Sequence, residues 1–263
     1  MVFLWLFILS VVTIIMVVIL LTHYLKEAND QNVKNSSLLK KQMTSNIAHE
    51  LRTPVTSIRG YLETMLACPD MPLEKKKVFL ERAYNQTLRL SELISDMALI
   101  SKIEEKSSNF KKTEIDLYDV ANEVFEEFSE RTSAQNVNVE NRIPQGSLLV
   151  ANRTLVYSIL RNMVENSLKY AGDCITIHVE NFYIPSDKMH YVTYYDTGVG
   201  VPDEHLDRIF ERFYRVQEGR TRDDGGSGLG LSIVRNAVDF HGGKIKVENR
   251  EEGGLKFSFS LAR

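Results

Sequence analysis

Two apolar stripes of helical period, separated by a segment no helix can cross, constrain this chain more than any other feature. From about Leu38 to Ala67, the residues Met43, Ile47, Leu51, Val55, Ile58, Leu62 and Met65 recur every three or four positions, the spacing of one helix face. Cys68-Pro69-Asp70-Met71-Pro72 ends that stripe, because proline has no N–H and its ring clashes with the preceding turn. A second stripe runs through Leu80, Ala83, Thr87, Leu90, Ile94, Met97 and Ala98. Two helices on a short loop make an antiparallel hairpin that cannot bury both stripes alone. It packs either on the rest of its own chain or on a second copy in a four-helix bundle, and a homodimer is the expectation.

Ahead of the hairpin, Val2 to Leu21 is an uncharged run long enough to cross a bilayer core of about 30 Å as a helix. Lys26, Lys34, Lys40 and Lys41 follow it, and only the amino terminus precedes it, which puts the C-terminal side in the cytoplasm. A cleaved signal peptide is the other reading; it calls for a positive start and a small-residue cleavage site, and neither is evident. The expectation is a single-pass membrane protein in contact with the lipid bilayer, with the chain beyond the span on the cytoplasmic side.

Past the hairpin, strand-like and helix-like segments interleave from about Thr113 onward, the pattern of an α/β domain. The predicted organisation is a membrane helix over 1–21, a linker over 22–36, the hairpin over 37–104, a second linker over 105–112 and the α/β domain over 113–263. Helices are predicted over Leu117–Phe128, Leu155–Tyr170, His205–Phe213 and Leu229–His241, and strands over Ile175–Val179, His190–Tyr195, Lys244–Glu248 and Leu255–Leu261. A formal net charge of -3 supplies no basic field, so nucleic acid is not an expected partner. Cys68 and Cys174 have no metal-ligand spacing and read as reduced, incidental thiols.

At 100° per residue, His49 falls roughly opposite the centre of the first stripe, so it faces solvent or a docking partner. Thr53 shares that face, and Pro54 leaves the Glu50 carbonyl without its usual donor, which favours a bend. An exposed histidine is ordinarily a solvated residue. Imidazole also accepts a phosphoryl group when one ring nitrogen is unprotonated, and a carboxylate holding the other nitrogen selects that tautomer; Glu50 is the adjacent candidate.

In the α/β region, Asn162, Glu165, Asn166 and Lys169 lie within about 100° of one another on a helix that is otherwise apolar. That is an ordinary solvated face, or a site where the amide oxygens help hold Mg²⁺ and Lys169 meets phosphate. Asp196-Thr197-Gly198-Val199-Gly200 follows a strand. It is a plain turn, or a place where a carboxylate accepts from the exocyclic amine of adenine while Gly198 and Gly200 let the backbone approach. Gly225-Gly226-Ser227-Gly228-Leu229-Gly230-Leu231 opens a helix, where backbone N–H groups attract phosphate. Its spacing is neither that of a dinucleotide fingerprint nor that of a P-loop. Gln217 to Asp224 reads as a lid or as a plain surface loop.

Ser45-Asn46-Ile47-Ala48-His49-Glu50-Leu51-Arg52-Thr53-Pro54 strongly resembles the phosphoacceptor box of sensor histidine kinases. Asn162 to Tyr170 resembles that family's N box, with Ser167 where alanine is usual, a change expected to have no effect. Asp196–Gly200, Ile209–Arg215 and Gly225–Leu231 resemble its first glycine, phenylalanine and second glycine boxes, in the family's order. The resemblance implies an α plus α/β architecture: an acceptor hairpin dimerising into a four-helix bundle, then an ATP-binding α/β sandwich (the Bergerat type). DNA gyrase, certain chaperones and mismatch-repair ATPases share that second fold. It implies that His49 is autophosphorylated with Glu50 as general base, and that Thr53 positions a water for removing phosphate from the partner. It also implies ATP and Mg²⁺ as cofactors, held by Asn162, Asn166, Lys169, Tyr170, Asp196, Gly198, Gly200, Phe213, Gly226, Gly228, Leu229 and Gly230, with Asn166 and Asn162 toward the metal. The partner it implies is the receiver domain of a response regulator, which takes the phosphoryl group on an aspartate. Two rivals remain: a chaperone- or repair-type ATPase, which leaves the His49 box unexplained, and a kinase-silent membrane scaffold or phosphatase.

Overall fold

The computed structural model describes residues 45–105, 110–216 and 226–262. The expected membrane helix, the 22–36 linker and the Gln217–Asp224 lid lie outside the described residues. Among the described residues no helix is long and apolar enough to cross a membrane. Internal packing divides the chain into two units, Met1–Thr53 and Pro54–Arg263.

Residues 45–67 are helical (α1), with 45–53 forming the described part of the first unit. In the second unit the proline-bearing segment makes the turn expected of it: Met71 N–H donates to the Cys68 carbonyl at 3.1 Å, and α2 (Leu73–Glu104) starts directly after Pro72. Proline suits that position because the first helical turn needs no N–H from it. Tyr61 and Phe79, similarly placed on either side of the turn, meet with ring centroids 5.7 Å apart, so the two helices run antiparallel. The hairpin leaves Leu62, Leu66, Leu73, Leu80, Leu88 and Ile94 exposed in the single chain.

The remainder folds as β1 (Thr113–Asp116), α3 (Leu117–Glu127), α4 (Ser129–Ala134), β2 (Asn138–Asn141), β3 (Leu148–Ala151), α5 (Arg153–Tyr170), β4 (Thr176–Ile184), β5 (Met189–Asp196), α6 (Asp203–Leu206), α7 (Gly230–Phe240), β6 (Ile245–Asn249) and β7 (Leu255–Ala262). Five strands form a mixed sheet in the order β2-β4-β5-β7-β6, parallel only between β2 and β4. β1 and β3 pair separately as an antiparallel ribbon. Burial alternates along β5, so the sheet is apolar on one face only. That face meets α3, α5 and α7 in one core containing Val120, Ile159, Met163, Ile177, Tyr194 and Phe257. A smaller cluster joins α2 to α7 through Ile100, Leu229 and Ile233.

The predicted helix over His205–Phe213 is corrected. Only α6 is helical there, and 207–212 are turns. Pro202 fixes the start, while Phe213 sits at φ +64°, where its N–H donates to the Gly228 carbonyl at 2.8 Å. A bulky residue held left-handed cannot continue a right-handed helix.

α5 carries most of the polar residues of interest, and its start is fixed by Asn152. The Asn152 carboxamide oxygen accepts from Leu155 N–H at 3.0 Å and its amide donates to the Lys111 carbonyl at 2.9 Å. Asn152 N–H itself donates to Nε2 of the buried His241 at 2.9 Å, tying the start of α5 to the end of α7. Asn152→Ala should therefore lower the unfolding free energy by about 1–2 kcal/mol, the cost of the lost N-cap and of the side-chain bond to the Lys111 carbonyl, while the backbone bond to His241 is kept. Urea unfolding followed by circular dichroism measures it.

Candidate active site

In the first unit, His49 keeps 61% of its side-chain surface exposed. Its Nδ1 lies 3.7 Å from a Glu50 carboxylate oxygen, within ion-pair reach but outside hydrogen-bond length. Thr53 Oγ1 donates back to the His49 carbonyl at 3.3 Å, the bond a helical threonine makes four residues on. With Nδ1 toward the carboxylate, Nε2 is the ring nitrogen left to face a partner.

In the second unit, the C-terminal half of α5 lies against the glycine-rich segment. Asn162 Nδ2 donates to the Ser158 carbonyl at 2.7 Å, which leaves its Oδ1 directed at Gly230, the first residue of α7. A Cβ on Gly230 would stand 2.7 Å from that oxygen, so only glycine fits without displacing Asn162. Gly226 N–H donates to Tyr170 Oη at 3.1 Å, and a Cβ there would stand 3.6 Å from Lys169 Nζ. Asn166, half-buried, follows Asn162 by one turn. Lys169 Nζ is bonded to Glu165 Oε1 at 2.7 Å, and Arg161 reaches the other oxygen at 3.2 Å. Burial alone would raise the Glu165 carboxyl, but Lys169 and Arg161 together hold it below its ordinary value. Lys169 is thus held by a carboxylate one turn back, a partner that a phosphate would have to compete with.

Phe213 and Gly228 meet backbone to backbone. Gly228 has φ +70°, and a Cβ there would stand 2.8 Å from Phe213 Cα. Leu229 turns the other way: its side chain is fully buried with Ile100 and Ile233, and its N–H donates to Ser227 Oγ at 3.2 Å. Of the residues expected to bind nucleotide, Leu229 is therefore committed to packing between α2 and α7. Ser227 also donates to Asp96 Oδ2 on α2 at 3.3 Å, and Arg212 pairs with Glu104 nearby.

Asp196 ends β5 and is 3% exposed. Its Oδ1 accepts from Gly198 N–H at 3.0 Å and Leu255 N–H at 3.3 Å, and its Oδ2 accepts from Ser167 Oγ at 2.7 Å. Gly198 presses on Ala171 at the end of α5, where a Cβ would come within 2.4 Å, and Gly200 takes φ +69° against Asn249. Gly254, at φ +90°, lies so close to Asp196 that a Cβ would stand 2.0 Å from the carbonyl oxygen. Sequence reasoning missed Gly254 and the N–H of Leu255; the glycine pair before a strand was the available signal. Ser167, expected to act as the family's usual alanine would, carries a hydroxyl that alanine lacks, and that hydroxyl is bonded to the Asp196 carboxylate.

Among the described residues no group of three His, Cys, Asp or Glu side chains could hold a metal. Mg²⁺ needs no such cage: it commonly takes one or two protein oxygens and fills its shell from water and substrate phosphates. The Oδ1 of Asn162, directed at the start of α7, fits that role, and Asn166 follows it by one turn.

Asp96 is half-buried beside the glycine segment, and burial pushes its carboxyl up from 3.8 to about 6, with Ser227 opposing that rise and Glu165 adding to it. A carboxyl raised in the folded state holds its proton better folded than unfolded. Its contribution to stability is therefore greatest below about pH 4 and is lost as pH climbs from 3.8 toward 6. Asp96→Asn should stabilise the protein above pH 6 by on the order of 1 kcal/mol, after allowance for partial exposure, with the gain vanishing below pH 4. Paired urea titrations of the two proteins across pH 4 to 7.5 (a range set around that titration) measure the difference.

Two family models match the chain: "His Kinase A (phospho-acceptor) domain" over residues 39–106 and "Histidine kinase-, DNA gyrase B-, and HSP90-like ATPase" over 151–263. The chain is 32% identical over 228 residues to sensor histidine kinase WalK of Bacillus subtilis, a match spanning 84% of this chain and 36% of WalK. Among solved structures, the nucleotide-free catalytic domain of histidine kinase ThkA is 30% identical, with a TM-score of 0.50 over 57% of this chain and 97% of that one. ThkA in complex with the response regulator TrrA is 29% identical, with a TM-score of 0.64 over 84% of this chain and 60% of that one. The chain spans about a third to three-fifths of the length of such curated relatives.

Proposed function

Because the chain belongs to the histidine kinase family, we propose that it is the kinase part of a two-component sensor, phosphorylating itself on His49 and passing the group to an aspartate of a response regulator. The observation that carries this reading is the pairing of an outward imidazole and a neighbouring carboxylate with a second unit in which α5 meets the glycine-rich segment through Asn162 and Tyr170 and meets Asp196 through Ser167.

ATP binds the second unit. Asp196 accepts from the exocyclic amine of adenine, and Gly198, Gly200 and Gly254 keep the backbone close enough for the ring to reach it. The phosphates lie toward the start of α7, where unpaired N–H groups and the helix dipole favour anions. Tyr170 anchors the glycine segment at Gly226, and Lys169 exchanges Glu165 for phosphate oxygens. Mg²⁺, held by Asn162 and Asn166 together with the phosphates, would neutralise charge on the transferring group. Nε2 of His49 attacks the γ-phosphorus with its lone pair, the bond to the bridging oxygen breaks, and ADP leaves. Glu50 takes the proton from Nδ1, so that the phosphorylated ring is neutral. Positioning and charge neutralisation supply most of the rate.

Exposed Leu62, Leu66, Leu80 and Ile94 support a homodimer, since a single hairpin leaves them in water. Val2–Leu21 supports a single membrane span, with the kinase on the cytoplasmic side of a bacterial inner membrane. Thr53, on the His49 face, supports an added phosphatase activity toward the regulator. A kinase-silent scaffold is not favoured, because every chemical residue of the boxes is in place.

Incubation of the purified chain with γ-labelled ATP should yield phosphate that is labile in acid and stable in base. His49→Ala should lose at least 99% of that label while binding a fluorescent ATP analogue within about twofold of the unsubstituted chain. Full labelling of the variant, or its failure to bind nucleotide, contradicts this division of labour.

A further inference from the structure

Ser167 is 2% exposed and bonds at both ends. Its Oγ donates to Asp196 Oδ2 at 2.7 Å and accepts from the Tyr194 hydroxyl at 3.0 Å. Tyr194 is itself fully buried, with its ring beside Phe257 at 6.3 Å between centroids. A serine hydroxyl has one proton. Since the carboxylate can only accept and Tyr194 must donate to something, the directions are fixed from Tyr194 to Ser167 to Asp196.

Counting acceptors then separates the two oxygens of Asp196. Oδ1 takes two backbone N–H groups, from Gly198 and Leu255, which fills both of its lone-pair directions. Oδ2 takes only Ser167, so one lone pair remains on the oxygen that the serine holds. An incoming N–H group must use that lone pair, and no proton in the relay is left to offer to an incoming acceptor. The arrangement favours a ring that presents an amine.

We propose that Ser167, fixed by Tyr194, is a positioning residue that sets the direction of the Asp196 lone pair and so determines selectivity for 6-aminopurine nucleotides. This rests on the reading of Asp196 as the adenine acceptor. It assigns the hydroxyl a task that alanine at the same place would leave undone.

The test compares ATP with purine riboside 5′-triphosphate, which lacks only the 6-amino group, by calorimetric titration of the full chain with Mg²⁺ present. The unsubstituted chain should bind ATP more tightly. In Ser167→Ala the ratio of the two affinities should fall roughly fivefold, the size of one side-chain hydrogen bond. A serine that only fills space would weaken both ligands alike, so an unchanged ratio overturns the proposal. Tyr194→Phe keeps the ring, and should lower the ratio about twofold by freeing the serine; it decides the matter if Ser167→Ala does not fold, and an unchanged ratio there overturns the proposal equally. Should the unsubstituted chain show no preference for ATP, the adenine reading fails and the proposal with it. A preference that persists intact in both variants sinks the proposal alone.

Discussion

A carboxylate withdrawn from water must be given donors, and at Asp196 those donors come from three separate stretches of chain. Ser167 is on α5, Gly198 is in the loop after β5, and Leu255 begins β7. Satisfying one side chain therefore fixes the distance between the helix layer and two neighbouring strands of the sheet. The close approaches around it follow from the same demand. Gly198 sits where a side chain would strike Ala171, and Gly254 where one would strike Asp196 itself, so both positions are closed to larger residues. The fold and the proposed base site are held by one set of bonds.

A second junction links the hairpin's long helix to the glycine segment. Ile100 of α2 packs with Leu229 and Ile233, Asp96 accepts from Ser227, and Glu104 pairs with Arg212. The polar contacts there are partly exposed and worth little individually, while the three buried aliphatic side chains contribute roughly 1.5–3 kcal/mol each by area. The residues that open α7 thus serve two surfaces. The backbone N–H groups at its start belong to the proposed phosphate site, and the side chains of Leu229 and Ile233 pack with Ile100 of α2. A change in how α2 packs would be felt at the start of α7 through Leu229.

Much of this was legible in the residues. The turn at Cys68–Pro72, α3, α5, α7 and the four longer strands lie where periodicity and punctuation put them, because each buries one face against a single core. The strands β1, β2 and β3 were not separately legible, since four residues are too few to show an alternation. The supposed helix over His205–Phe213 failed for a different reason. Its aromatic pattern is real, but the left-handed Phe213 is imposed by Gly228, fifteen residues on, and local propensity cannot report it. Leu229 lies within the glycine string, and the burial of its side chain against α2 depends on a contact that the string cannot report.

The sequence alone determined the order of the boxes, the identity of the groups able to accept, donate or approach phosphate, and the outward setting of His49, because these depend on residue type and helical period. The tertiary structure alone decided which polar groups share a bond. Lys169 is held by Glu165, Asn162 turns its oxygen toward Gly230, and Ser167 is joined to Asp196 across twenty-nine positions. Hydrogen bonds form between neighbours in space, and spacing along a chain says nothing of which sheet-end loop a helix will meet.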